Sequence, residues 1–163
     1  RFNLRDGTGG AAEQAEVQRA LEAANDFQKA LVYLKRNDIA TCEELAKKAL
    51  AADSTQADYL ALVTWLDAQK PHNLNFDRTR ELILKLDDAI QMNGNCERAH
   101  FYRGMLHKRT DNPKQALKDF KRAVELNPHN LDAAREIRLY GMRQPSSKDE
   151  GSIGGLFGRL FKK

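Results

Sequence analysis

Apolar positions along this chain fall into short stretches with helical spacing, separated by polar turns rich in Asn, Asp and Pro. Apolar residues recurring at i, i+3, i+4 and i+7 mark one face of a 3.6-residue helix, whereas a strand would alternate strictly. The spacing predicts seven helices: Ala11 to Arg36, Ile39 to Ala52, Gln56 to Lys70, Arg78 to Met92, Glu97 to Arg109, Pro113 to Leu126, and Leu131 to Tyr140. Asp38 and Asp77 stand where N-caps are expected, and Asn112 precedes a proline at a first helical position. Gly94 and Gly141 stand where left-handed C-terminal caps are expected.

The helices repeat. Cys42, Leu82 and Ala116 head three segments in which Ala46/Leu86/Phe120, Ala49/Ala89/Ala123 and Leu50/Ile90/Val124 follow in step, each series spaced 40 and then 34 residues. The small residues Ala30, Thr64 and Gly104 upstream are spaced 34 and then 40. A period near 34 is that of a helix-turn-helix repeat. The reversed order locates a six-residue insertion between Thr64 and Leu82, and the polar segment 70–77 is able to host it. The expected architecture is an all-α solenoid over residues 11–143, with repeats at 23–56, 57–96 and 97–130 and a capping helix at 131–141. Residues 1–10 and 144–152 read as linkers, and 153–163 as a basic amphipathic tail.

Within 97–130, Gly104, Ala116, Phe120, Ala123 and Pro128 fall in register with the small, small, aromatic, small and proline positions of the tetratricopeptide repeat, which this segment resembles. His100, Arg103 and His107 stand where that family usually has Trp, Leu and Tyr, and the first two repeats share only its small-residue ladder. The closing helix and basic tail look like those of repeat modules in bacterial multidomain signalling proteins. The resemblance implies a right-handed superhelix, without catalysis or cofactor, whose first helices line a concave groove for a partner peptide or helix. Carried over position by position, the groove falls on Phe27, Leu31, Lys35, Asp58, Ala61, Trp65, Gln69, Arg98, Phe101, Met105 and Arg109. The Lys and Asn arrangement with which chaperone-binding members hold a C-terminal carboxylate is absent. The expectation is an apolar floor of Phe27, Leu31, Trp65, Phe101 and Met105, rimmed at one end by Arg98 and Arg109, suited to an amphipathic ligand with an acidic flank.

Charge changes this picture in two places. Residues 96–143 carry eleven Lys/Arg against six Asp/Glu, whereas 1–95 carry twelve against fifteen, so the basic half is C-terminal. Lys114, Lys118, Lys121, Arg122, Arg135 and Arg138 are not interleaved with aromatics able to stack on bases, which argues against nucleic acid. In the tail, Ile153, Leu156, Phe157, Leu160 and Phe161 recur at i, i+3, i+4, i+7 and i+8, with Arg159, Lys162 and Lys163 on the other face. Three docking surfaces suit it: a partner protein, an anionic membrane interface contacted weakly, or the groove of this molecule or a neighbour. Homo-oligomerisation through the tail or the long first helix is a further expectation.

Other chemistry finds no support in the spacing. The four histidines show no zinc-binding pattern, GTGG and GSIGG lack the residues of a phosphate loop, and no nucleophile, base and orienting group can be assembled. Cys42 and Cys96 read as reduced thiols. The opening Arg and the Gly/Thr/Asp cluster after it suggest the C-terminal piece of a longer protein, cytoplasmic or at the inner face of a membrane.

Overall fold

The computed structural model describes residues 7–73 and 75–143; side chains of 7–9 are outside the description. Residues 1–6, the expected linker 144–152 and the expected amphipathic tail 153–163 therefore lie outside the described residues. The helices are α1 (Gly7–Lys35), α2 (Ile39–Ala52), α3 (Ala57–Ala68), α4 (Phe76–Met92), α5 (Glu97–Arg109), α6 (Pro113–Leu126) and α7 (Leu131–Arg143). They pair as α1/α2, α3/α4 and α5/α6 hairpins, each packed on the next, with α7 against α6. Among the described residues no strand is present, and no helix is long and apolar enough to cross a membrane.

Small residues let the helix axes approach, and leucines fill the space that remains. Ala30, Ala46, Ala49, Ala61, Ala89, Ala99 and Ala123 are fully buried, and Leu62, Leu66, Leu82, Leu86 and Leu106 are the largest side chains removed from water. Burying each leucine stabilises by roughly 1.5–3 kcal/mol. Gly104 shows how close the approach is: a Cβ there would lie 2.7 Å from Phe120 Cε1 and 3.2 Å from Asp119 Cβ.

The turns depart from expectation in an informative way. Gly94 and Gly141 are not left-handed caps: among the described residues no glycine has positive φ, and Gly141 lies inside α7. The left-handed residues are Asn37, φ 59°, and Asp111, φ 52°, and both hold the fifteenth position of their repeat. Asn and Asp tolerate this conformation because their short polar side chains satisfy local backbone groups. The fifteenth position of the second repeat is Pro71, whose ring locks φ near −65° and excludes that turn. A short 3-10 turn (Pro71–Asn73) forms instead, and the inserted residues complete the connection.

That longer loop is tied down by polar contacts. Asn73 Nδ2 donates to Asp67 O and Oδ1, both at 3.0 Å, Arg78 Nη2 reaches Asp67 Oδ2 at 2.9 Å, and Lys70 Nζ reaches Glu43 Oε1 at 2.7 Å. The cap of α4 is Asn75, whose Oδ1 accepts from Arg78 N at 2.8 Å, and not Asp77, which lies within the first turn. Asp38 caps α2 as expected, accepting from Thr41 N at 3.2 Å. Asn112 holds the cap position of α6 without a side-chain bond, so Pro113 alone marks that start.

At the N-terminus, α1 starts at Gly7, so Gly7 to Gly10 belong to a helix and not to the expected linker. Residues 10–22 are exposed throughout, and burial begins at Ala23, where α2 starts to cover the helix. The first half of α1 thus projects past the solenoid, with Val17 and Leu21 exposed.

Candidate functional site

The first helices of the hairpins, with α7, form the walls and floor of a groove. On α5, Arg98, Phe101, Met105 and Arg109 follow at three- and four-residue steps, which places them on one face. The opposite face presents His100, Arg103, Gly104 and His107 to α4 and α6. Two adjoining cavities, about 520 and about 430 Å³, share Leu34, Phe101, Tyr102 and Asp132. The first extends along α1 and is bounded by Leu31, Lys35 and Arg98, and the second by Trp65, Met105, Arg135 and Glu136.

Trp65 lines the second cavity. Its ring stacks on Tyr102, with centroids 4.9 Å apart and planes 1° from parallel, and the Arg109 guanidinium lies 5.3 Å from its centroid on α5's C-terminal side. Trp65, Phe101, Met105 and Leu31 are half-buried, so each has a face in the groove and a face in the fold. Phe27 differs. It is 4% exposed, 4.5 Å from the Tyr59 ring and beneath Arg98 at 5.6 Å, and therefore belongs to the core. Ala61 is fully buried as well, and Asp58 serves as the partner of Arg98.

The cationic rim at one end is not what the structure brings together. Arg98 and Arg109 lie eleven residues apart on one helix, a rise of about 16 Å, and therefore occupy opposite ends of the groove. Arg98 Nη1 is 2.7 Å from Asp58 Oδ1; burial opposes its charge, but the bond and charge of Asp58 hold its pKa above the usual value. Arg109 Nη1 donates to Ala68 O at 2.7 Å and its Nη2 to Gln69 Oε1 at 3.2 Å, so the guanidinium clamps α5 to the end of α3. Both cations are engaged internally, Arg98 by a carboxylate and Arg109 by neutral acceptors, while Lys35 and Arg135 also line the cavities.

Sequence reasoning missed Tyr102, Leu34 and the contribution of α7. Tyr102 is nine-tenths hidden, and burial pushes its phenol pKa well up, so it acts as a neutral aromatic surface. Its signal was present in sequence, because it precedes the small position of its repeat by two residues, as Leu62 precedes Thr64. Asp132, Arg135 and Glu136 were legible too: α7 begins 34 residues after α5 and so occupies the place of a fourth first helix.

Behind the groove, a polar cluster fills the space that large apolar side chains would take. Asp119, 3% exposed, accepts from Arg103 Nε at 2.9 Å and Nη2 at 2.6 Å, while Arg103 Nη1 reaches Asp87 Oδ1 at 2.6 Å. Burial raises the Asp119 pKa, but the neighbouring His100 ring, the bonds from Arg103 and its positive charge outweigh it and hold the carboxyl below its usual range. His100 Nε2 donates to Gly94 O at 3.1 Å, and its Nδ1 stands 3.5 Å from Asp119 Oδ1. His107 Nε2 lies 3.8 Å from Asp119 Oδ2; burial is the largest influence on the ring and holds its pKa below the ordinary value. Among the described residues no three His, Cys, Asp or Glu side chains gather as metal ligands. Both cysteines are buried free thiols, and burial pushes Cys96 up to about 11, which disfavours the reactive thiolate.

Comparison with known proteins agrees with this fold. Residues 97–130 match the tetratricopeptide repeat family model. Comparison with curated proteins gives no significant match. Among solved structures, the first tetratricopeptide domain of Spaghetti (RPAP3), bound to the HSP90 peptide SRMEEVD, is 19% identical with a TM-score of 0.55, over 76% of this chain and 93% of that one. The Arabidopsis OM64 tetratricopeptide domain is 15% identical with a TM-score of 0.57, over 77% and 99%. The second such domain of human RPAP3, in complex with the HSP70 peptide SGPTIEEVD, is 19% identical with a TM-score of 0.52, over 77% and 98%. At these identities the likeness is one of fold. Domains of this architecture generally mediate protein–protein interaction. The described chain is an α-solenoid with the fold of tetratricopeptide domains, and its third hairpin, residues 97–130, carries the tetratricopeptide repeat itself.

Proposed function

We propose that this chain is a non-catalytic interaction module that binds an amphipathic helix or extended segment of a partner protein in the groove between α1, α3, α5 and α7. The observation that supports this most is the placement of Trp65: half-buried, stacked on Tyr102, and lining a cavity of about 430 Å³ together with Phe101 and Met105. Aromatic anchors in partly desolvated pockets carry most of the affinity of such interfaces, and Trp, Met and Arg are enriched there. With Arg98 and Arg109 engaged by Asp58 and by Ala68 and Gln69, the groove favours an apolar stripe over the acidic peptides bound by the RPAP3 domains.

The test is a peptide selected from a random library on this chain, with affinity then measured against variants. Trp65→Ala should weaken binding by about 2 kcal/mol or more, roughly 30-fold, while circular dichroism stays unchanged. Met105→Glu should act in the same direction without touching the Trp65–Tyr102 stack. Undiminished binding by both variants removes the groove assignment.

A second reading takes the repeats as a spacer and the tail as a peripheral membrane anchor, on the strength of the apolar stripe Ile153, Leu156, Phe157, Leu160 and Phe161 opposite Arg159, Lys162 and Lys163. Flotation with anionic liposomes separates the two readings: substitution of Phe157 and Leu160 by Asp should abolish flotation under this one and leave it unaffected under the first.

A further inference from the structure

We infer that the groove has an occupant within this same chain, the tail segment 153–163, which folds back between α1, α3, α5 and α7 and must be displaced before a partner binds. The inference rests on the groove reading above and adds its regulation.

The path of the chain comes first. Asn130 Nδ2 donates to the Glu97 carboxylate where α7 begins, and Lys108 Nζ reaches Glu136 Oε2 at 2.6 Å further along. So α7 runs parallel to α5, and its last residue, Arg143, shares a cavity with Lys108 near the C-terminal end of α5, the end of the groove that Arg109 marks. Nine residues, 144–152, separate α7 from the apolar stripe. Fully extended they span about 30 Å, more than the length of α5, about 20 Å for 13 residues. A nine-residue helical stripe is about 13 Å long and fits within the groove.

Charge fixes a direction. Asp149 and Glu150 precede the stripe, whereas Arg159, Lys162 and Lys163 fall at and beyond its end. At the mouth, Arg109 keeps its charge because Ala68 O and Gln69 Oε1, which hold it, are neutral acceptors, and Arg135 lines the adjoining cavity beside the internal Lys108–Glu136 pair. At the far end stand Glu97 and Asp132, against Lys35, with Arg98 already neutralised by Asp58. A tail entering at the mouth places its acidic residues near the arginines and its basic residues near the carboxylates.

The competing surface within the molecule, the open side of α7, is closed to a tail packed as the second helix of a fourth hairpin. In the third hairpin a Cβ at Gly104 would already lie 2.7 Å from Phe120. Thirty-four residues on, the same position is the exposed Arg138, which forbids that approach. The four glycines at 151, 154, 155 and 158 make the ordering of the tail costly, so its hold is weak and reversible.

The single tryptophan, Trp65, lies in the groove and reports its occupancy. The experiment titrates a synthetic peptide of residues 151–163 into the full chain and into the full chain carrying Phe157→Asp and Leu160→Asp, reading Trp65 fluorescence. Because a tethered tail competes at an effective concentration near millimolar, the peptide should bind the substituted chain about tenfold or more tightly than the unsubstituted one. Equal affinities would overturn the inference. A difference that disappears on dilution of the protein would overturn its intramolecular part and assign the tail to a neighbouring copy. Loss of binding to phosphatidylglycerol vesicles in the substituted chain, with no difference in peptide affinity, would assign the tail to a membrane. If the peptide binds neither chain while library-selected peptides bind the substituted chain through Trp65, the tail inference falls and the groove reading stands. If those peptides also fail, both fall.

Discussion

The third hairpin concentrates the residues on which stability depends most sharply. Gly104→Ala gains about 1 kcal/mol of helix propensity but drives a methyl group to 2.7 Å from the buried Phe120 ring. Overpacking of this kind costs 1–3 kcal/mol, so a net loss of about 1 kcal/mol is expected, read as a lower urea midpoint. Asp119→Ala should cost more, about 3 kcal/mol, because it leaves Arg103 half-buried with only Asp87 to meet its charge. His107 adds a pH dependence. Its folded pKa lies below the unfolded value of about 6.5 because burial disfavours the imidazolium. Above that value both states are neutral and the stability is complete; below it the unfolded chain takes up the proton first, and stability falls until the folded ring titrates. Asp119 acts with the same sign, in a window that opens only below about 3.9. The urea midpoint of the wild type should therefore fall on acidification below pH 6.5, and His107→Gln should flatten that slope. An identical slope in the variant would show that His107 is not the group responsible.

Single helices divide into packed and projecting parts, and this division shows what was legible in the sequence. Positions with small residues in register located the three hairpins and the insertion, because close helix packing tolerates little else at Ala49, Ala89 and Ala123. Helix ends were less legible. Gly94 suggested a left-handed cap, but the left-handed residues are Asn37 and Asp111, and it is Pro71 at the equivalent position that explains why the second hairpin needs a longer loop. The start of α1 was hidden because GTGG has poor helix propensity, which a continuing helix overrides. In the groove, Trp65, Phe101 and Met105 were found from repeat position, whereas Arg98 and Arg109 were placed together although helical rise alone sets them about 16 Å apart. Phe27 was misplaced because position in a repeat does not reveal that Tyr59 and Arg98 cover it. The projection of α1 leads to a measurement at this scale. Amides of residues 10–22, on an exposed helix segment that α2 does not cover, should exchange with deuterium much faster than those of 23–35. Uniform protection along α1 would reveal that another surface covers it.

At the scale of the whole molecule, hairpins stacked through small residues hold four parallel first helices around a hollow floored by aromatic and aliphatic side chains. The central claim is that this hollow, and not the outer surface formed by the second helices, receives a polypeptide. The outer surface offers a natural control, since Phe76 and Leu84 on α4 are exposed and apolar without lining the groove. The most direct measurement is an NMR titration with a library-selected peptide, following the Trp65 indole and Met105 methyl signals alongside the Phe76 and Leu84 side chains. Saturable shifts of Trp65 and Met105, with Phe76 and Leu84 unmoved, are the predicted result; shifts confined to Phe76 and Leu84 would contradict it.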